Sequence, residues 1–393
     1  MATFFEFVTW VCLAVCGYVY VGYAALICGL ARFKRVAVPA LDDLPSVSIL
    51  IAAYNEQDVI GDKIANSFAL DYPLERMEVL VVTDGSNDDT VRIVEDWAAR
   101  SAGRLQPLHA PERRGKSAAI NRAMAHATGE IVIFSDANAF YAPDALRNLV
   151  RHFADSRVGC VGGRKTVRAN GTATASSEGA YWRYESCIKA AESRLGTTTT
   201  AVGEMIAVRR TLLALIPPHI INDDAYLALS VLRAGYRVIY EPAARCWETS
   251  SASTRDEVTR RQRINAGRYQ FLLNPRLWPW RNPLAMFEFV SHKLLRALLP
   301  LFMILALAAN LLAVMSGPGQ GLMAHLLAAQ LAFYGLAALG LALERVGRVV
   351  RLPALAAYVL SSNFAALCGL VGYVRGTQTV LWKKAARGRM AGP

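Results

Sequence analysis

Three acidic sites punctuate the first two-thirds of the chain, and their types and spacing suit one chemistry. Asp84 lies in Thr83-Asp84-Gly85-Ser86 and Asp136 in Ser135-Asp136-Ala137-Asn138, each at the end of an apolar, β-rich run. The adjacent carboxylates Asp223 and Asp224 follow in Ile221-Asn222-Asp223-Asp224-Ala225-Tyr226-Leu227, a stretch patterned like a helix start. Acids at three strand or loop ends suit a single site that holds a nucleotide, a metal ion and a base. Asp136 and Asn138 offer two oxygens to one hard cation, Mg2+ or Mn2+, which would bridge a diphosphate and neutralise a leaving nucleotide. A helix start also invites an N-cap from Asn222 or Asp223, which accounts for one acid but not for the pair.

The elements that must position these residues follow from the pattern after Val47, where short β-branched runs alternate with amphipathic stretches, as in an α/β sheet. Strands are expected at Val47 to Ala52, Glu78 to Val82, Leu105 to Leu108, Ile131 to Ser135 and Val158 to Gly162. Helices are expected at Asp58 to Leu70, Thr90 to Ala99, Ser117 to Ala127 and Pro143 to Phe153. Ligands of such sheets collect at the carboxyl ends of the strands, where Tyr54, Glu56, Asp84 and Asp136 fall. The turn after the first strand reads Ala52-Ala53-Tyr54-Asn55-Glu56-Gln57, so the glycine fingerprint of a dinucleotide-binding dehydrogenase is absent, as is a Walker A sequence. Phosphate chemistry must then come from a metal and basic side chains. Beyond Gly163 the alternation gives way to a polar helix (about Glu178 to Ser193), a threonine-rich loop (Thr197 to Thr200) and Val202-Gly203-Glu204-Met205. This half, with Gly203, Glu204 and Asp223, is assigned to the acceptor side.

The chain is 54% hydrophobic, an excess concentrated at its two ends. Val8 to Leu30 is long enough to cross a bilayer, which takes roughly 20 residues. It lacks the basic start and small-residue cleavage site of a signal peptide. Arg32, Lys34 and Arg35 follow it, which by the positive-inside rule makes the central domain cytoplasmic. Leu298 to Met315, Leu322 to Leu343 and Leu352 to Val374 are three further apolar segments. Arg345, Arg348 and Arg351 put the last loop inside, yet Arg375, Lys383, Lys384, Arg387 and Arg389 put the tail inside too. A re-entrant last segment, or a break at Ser361-Ser362-Asn363, would reconcile the two. The seven cysteines form no CxxC pair, which speaks against a zinc site or disulfide framework. The net charge of +12 fits anionic headgroups or a phosphate-bearing substrate, not nucleic acid.

Taken together, Ala53-Tyr54-Asn55-Glu56, Thr83-Asp84-Gly85-Ser86, Gly115-Lys116-Ser117-Ala118-Ala119-Ile120-Asn121, Asp136-Ala137-Asn138, Asp223-Asp224 and Arg260 to Gly267 stand in an order that resembles the inverting family 2 glycosyltransferases of GT-A fold. The likeness is to the membrane-integrated, polysaccharide-synthase-like members. It implies that Tyr54 and Asp84 hold the nucleobase, that Glu56, Lys116, Asp136, Arg260 and Arg263 complete the donor site, and that Asp224 is the general base. Asn138 stands where the family usually carries an acid; a neutral amide still coordinates or holds a metal-bound water. Ile264 replaces the tryptophan of the Q/R-x-x-R-W motif of processive relatives, which pulls toward transfer of one sugar. Leu277-Trp278-Pro279-Trp280-Arg281 reads as an interfacial belt.

The expectation is therefore an α/β chain: a transmembrane helix at 1–31, a cytoplasmic GT-A domain at 47–270, an interfacial segment at 271–297, about three transmembrane helices at 298–374 and a basic tail at 375–393. It would move a sugar from a nucleotide-diphospho-sugar, UDP-linked, to a growing glycan, or in the alternative to a lipid carrier or glycolipid. The resemblance implies a bacterial inner membrane, contact with membrane lipids, and an oligomer or secretion partner. A transporter is the rival class, opposed by apolar segments with few ionisable groups beyond His325.

Overall fold

The computed structural model describes residues 1–34, 41, 43–168, 173–249, 254–316, 321–348 and 350–377, with side chains described except at 167–168, 173–180, 249 and 254–261. Among these residues one sheet runs through the central domain. Its strands are β1 (Val47–Ala53), β2 (Met77–Asp84), β3 (Leu105–Ala110), β4 (Ile131–Asp136), β5 (Phe140–Tyr141), β6 (Val158–Arg168), β7 (Ile206–Arg209) and β8 (Arg237–Thr249). They lie in the order β3-β2-β1-β4-β7-β6-β8-β5. The first four are parallel, β7 runs antiparallel to both β4 and β6, and β6 and β8 are parallel. Register aligns the strand ends that matter: Ala52 faces Val82 on one side and Asp136 on the other, and Ala53 faces Thr83.

The helices are α1 (Ala2–Gly17), α2 (Tyr23–Ala31), α3 (Ile60–Phe68), α4 (Thr90–Arg100), α5 (Lys116–Met124), α6 (Ala145–Val150), α7 (Ala173–Leu195), α8 (Asp223–Arg233), α9 (Thr254–Leu272), α10 (Pro283–Glu288), α11 (Leu295–Met315), α12 (Gly321–Arg345) and α13 (Arg351–Val374). Strands buried on both faces need apolar runs, and β1, β2 and β4 supply them. Ile49, Ile51, Val79 and Val81 face a core with Ile60 and Ile64 of α3, Val94 of α4 and Leu146 and Leu149 of α6. On the other face Leu50, Leu80 and Val132 meet Ala119 and Ile120 of α5 and Leu227 and Leu232 of α8. Each fully buried Leu, Ile or Val contributes about 1.5–3 kcal/mol relative to exposure, so this double layer fixes the strand ends rigidly.

Among the described residues four helical stretches are long and apolar enough to cross a membrane: Ala2–Ala31, Pro283–Met315, Gly321–Arg345 and Arg351–Val374. The first two each contain a π-helical segment, Tyr18–Gly22 and Phe289–Leu294. These two segments meet, the Tyr18 hydroxyl donating to Ser291 Oγ at 2.9 Å. The second stretch is helical from Pro283, capped by the Asn282 side chain, rather than from about residue 298. No break occurs at Ser361-Ser362-Asn363. The Asn363 amide donates to the Val359 carbonyl at 2.9 Å and to the Tyr20 hydroxyl at 2.6 Å, so its polarity is satisfied inside an unbroken α13. The polar helix after Gly163 is longer than expected, and β5, β7 and β8 were not legible as strands. Arg35 and most of the basic tail lie outside the described residues.

Candidate active site

The site assembles at the carboxyl ends of β1, β2 and β4. Asp136 closes β4, and Lys116 opens α5 after Gly115, whose φ of +95° places it in a region that favours glycine. The Lys116 ammonium stands 2.8 Å from Asp136 Oδ1 and 3.2 Å from Asp223 Oδ2, bridging two carboxylates from distant parts of the chain. Burial alone would lower its pKa, but the charges of Asp136, Asp223 and Asp224 outweigh that and raise it, so the amine stays protonated.

Asp223 and Asp224 begin α8, and neither serves as a conventional N-cap. Asn222 makes no capping bond, because its amide nitrogen is drawn to the Ile264 carbonyl at 3.0 Å. Asp223 is spent on Lys116. Asp224 Oδ1 accepts the N–H of Ala225 at 2.8 Å, and its carboxyl pKa is pushed up to about 6 by burial and by Asp223, with Lys116 pulling the other way. Gly203 packs directly on it: a Cβ there would lie 3.2 Å from Asp224 Oδ2. The expected base, its acidic neighbour and Gly203 are thus one contact group with Lys116 and Asp136.

Asp84, expected to hold the nucleobase, closes β2. It is fully buried, with Oδ1 accepting the N–H of Arg114 at 3.0 Å and Oδ2 that of Gly115 at 2.7 Å. Its carboxylate ties down the turn that carries Lys116 instead of facing an open cleft. Gly85, at φ +68°, is required there, since a Cβ would come within 2.8 Å of Arg113. Tyr54 lies beside this turn with the Arg113 guanidinium 3.7 Å from its ring centre, a cation–π contact that the sequence did not announce. Asn55 holds the loop, its amide donating to Asn87 Oδ1 at 2.7 Å, and the Glu56 N–H donates to Thr90 Oγ1 at 2.8 Å.

Asn138 is buried, and its amide nitrogen donates to Glu248 Oε2 at 3.2 Å, which leaves its oxygen to meet a cation. Among the described residues no three His, Cys, Asp or Glu side chains converge as a metal cage. One carboxylate and one amide are nonetheless a fitting donor set for Mg2+ or Mn2+, which keep few protein ligands and take the rest from substrate phosphates and water. Behind Asn138, the buried Lys63 amine donates to the Ala139 carbonyl at 2.5 Å and sits 3.8 Å from the Tyr141 ring centre.

Glu204 is paired with Lys165, which also binds Glu248, so the acceptor side carries a buried ion-paired trio. Lys165 was missed; it stands beside Arg164 in β6, and nothing in the sequence marks it as the buried one. Arg263 lies on α9, one residue before Ile264, whose carbonyl receives Asn222, so this segment is held against the start of α8. The Arg260 side chain lies outside those described.

Residues 48–216 match the family model described as glycosyl transferase family 2. Poly-β-1,6-N-acetyl-D-glucosamine synthase of Staphylococcus aureus strain MSSA476 is 27% identical over 212 residues, 53% of this chain and 50% of that protein. The synthase of Staphylococcus epidermidis is 26% identical over 238 residues, covering 59% and 57%. The chain thus spans about half the length of the curated relatives it matches. Among solved structures, a mannosyltransferase from Pyrobaculum calidifontis in complex with GDP-Man and Mn2+ superposes with a TM-score of 0.72 at 26% identity, over 94% of this chain and 100% of that one. Residues 48–216 therefore carry a glycosyl transferase family 2 domain of GT-A fold, similar to polysaccharide synthases and accompanied, among the described residues, by four long apolar helices.

Proposed function

We propose that the protein is a membrane-embedded, inverting glycosyltransferase that uses a nucleotide-diphospho-sugar, with Asp224 as general base. The observation that carries this reading is the bridge of Lys116 between Asp136 and Asp223, beside a carboxyl whose pKa of about 6 suits proton abstraction near neutrality. Asp224 takes the proton of the acceptor hydroxyl while that oxygen bonds to the anomeric carbon and the bond from carbon to diphosphate oxygen breaks on the opposite face. One displacement from the face opposite the leaving group inverts the carbon. Lys116 and Arg263 supply fixed positive charge to the departing diphosphate.

Asp136, with Asn138, would hold Mg2+ or Mn2+, which when bound neutralises the diphosphate; the Mn2+ in the mannosyltransferase neighbour supports this. Asp84 acts by fixing the 114–115 turn, and Tyr54 with Arg113 forms the wall beside which a nucleobase would pack. Both the UDP-linked donor expected from the sequence and the GDP-linked donor of that neighbour fit this frame. The domain faces the cytoplasm, with the acceptor arriving where α9 and the apolar helices meet. Transfer to a lipid-linked acceptor is the second reading, favoured by Ile264 in place of the tryptophan of processive relatives. Incubating the detergent-purified full chain with UDP- and GDP-linked sugars, Mn2+ and candidate acceptors, followed by mass analysis, tests the reading. Sugar transfer with release of the nucleoside diphosphate is expected, and its absence from every donor overturns it.

A further inference from the structure

Several polar groups on α7 and in the threonine-rich loop lack partners among the described residues. Trp182, Ser186, Lys189 and Ser193 form one stripe of α7 at helical spacing. The stripe lies on β8: the Tyr240 hydroxyl donates to Ser186 Oγ at 2.8 Å, and Ser193 Oγ accepts the Tyr240 N–H at 2.8 Å. Lys189 is 4% exposed, its ammonium 4.8 Å from the Tyr240 ring centre and 5.7 Å from that of Trp182, with no ion pair or hydrogen bond to a described residue. The indole N–H of Trp182 and the hydroxyls of Thr199 and Thr200 are also buried and without a partner among the described residues. Thr200 leads into Ala201, which packs on Gly162, the β6 residue opposite Tyr240. The threonines and Lys189 therefore share one side of the sheet.

Buried polar groups are almost always satisfied, and a buried ammonium calls for a negative counter-charge. The aromatic faces offset only part of that need. Of the four acids whose charge reaches Lys189, three are engaged elsewhere, Glu204 by Lys165, Glu185 by Arg296 and His292, and Glu192 by His292, Tyr23 and Thr198, and the fourth, Asp224, is the candidate base. An ammonium, an indole N–H and two hydroxyls can all donate, and together they match an anion with several oxygens.

The cluster's position says what carries that anion. On one side, Trp182 lies 5.6 Å from Lys165, which holds Glu204, next to the Gly203 that packs on Asp224. On the other, α7 meets the apolar helices, the Tyr184 hydroxyl donating to the Tyr20 carbonyl at 2.8 Å and the Tyr181 ring 5.8 Å from that of Tyr358. We propose that Lys189, Trp182, Thr199 and Thr200 bind the phosphate of a lipid-linked acceptor, so that the acceptor is a phosphate-bearing glycolipid rather than a free glycan. The inference rests on the sugar-transfer reading and deepens it.

The test is calorimetric binding of decyl phosphate, inorganic phosphate and decanol to the full chain in dodecyl maltoside, a detergent without phosphate. Decyl phosphate is expected to bind at least about tenfold tighter than inorganic phosphate, decanol not saturably, and Lys189→Gln to weaken decyl phosphate by about tenfold or more, because charge-assisted bonds are the strong ones. Lys189→Arg should retain most of the affinity, and Trp182→Phe, which keeps the ring and loses only the N–H, should lose several-fold. UDP or GDP binding with Mn2+ reports that each variant is folded, and Trp182→Phe carries the test if Lys189→Gln is not. Equal binding of decanol, or unchanged affinity in both variants, overturns the site. Equal binding of inorganic phosphate overturns the lipid-linked acceptor in favour of a free anion. If neither nucleotide binds the wild type, the sugar-transfer reading fails, while the decyl phosphate result still stands or falls by itself.

Discussion

Gly203 and Asp224 meet where Gly203 lacks a side chain: a Cβ at that position would lie 3.2 Å from Asp224 Oδ2 and 3.3 Å from the Asp224 Cβ. Contacts this tight force the neighbour to yield by a few tenths of an ångström. Since misplacing a catalytic group by an ångström costs on the order of 100-fold, Gly203→Ala is expected to lower kcat by about tenfold. Donor affinity should stay near wild type, because Asp136 and Lys116 are untouched. Steady-state kinetics with a nucleotide titration separates the two, and an unchanged kcat would show that Asp224 needs no such close placement.

The raised pKa of Asp224 makes two opposite pH dependences. Its ordinary value is 3.8 and its folded value about 6, so between these the folded chain holds a proton that the unfolded chain has lost. Stability from this group is therefore greatest at the acid end of that window and falls as pH rises through it. Catalysis runs the other way, since only the carboxylate accepts a proton: kcat/KM should rise with pH below about 6 and level above it. Asp224→Asn should lower transfer by at least about 100-fold and abolish that limb while leaving nucleotide binding intact. Persistence of the same limb in the variant would assign it to another group.

Asp136 is held by Lys116 in the structure, and a divalent cation would compete for the same oxygen. Chelation, or Asp136→Ala, is expected to abolish transfer, with Mg2+ or Mn2+ restoring it only in the chelated wild type. Lys116→Met leaves Asp136 and Asp223 without their shared counter-charge. It should lower thermal stability and weaken donor binding, both measurable by a melting scan with and without nucleotide. Full activity in chelator would remove the cation from the mechanism.

Much of this was legible because local pattern and global fold agree. β1, β2 and β4 are apolar on both faces, as a parallel sheet demands, so their ends and the acids there could be read off the chain. β8 was missed because it includes Glu241, Arg245 and Glu248, charges satisfied only by partners elsewhere; Glu241, for example, is bound by Arg151 and His152. That Asp84 anchors two backbone N–H groups was not legible, because sequence shows a residue but not what faces it. The break at Ser361-Ser362-Asn363 was inferred from polarity that Tyr20, some 340 positions away, in fact satisfies. Lys165 went unnoticed for the same reason: its pairing with Glu204 and Glu248 is long-range and invisible to periodicity.

Arg263 offers the sharpest separation of donor chemistry from membrane attachment. It sits on α9, which packs on the start of α8 through the Asn222 to Ile264 bond and on α13 where Gly369 meets Asn265, a Cβ there lying 2.6 Å from the Asn265 Cβ. An arginine that merely faces headgroups contributes about 1 kcal/mol of nonspecific attraction, and lysine supplies nearly as much. A planar guanidinium bonded to diphosphate oxygens depends on a fork that lysine cannot copy, and such charge-assisted bonds are roughly twice as strong as neutral ones. Arg263→Lys should therefore leave expression and membrane insertion intact while weakening the donor or slowing turnover by about tenfold or more. The same change at Arg261, to which no role is assigned, should be mild. A donor titration in which Arg263→Lys matches wild type would confine this arginine to the membrane surface and end the donor site at Lys116 and Asp136.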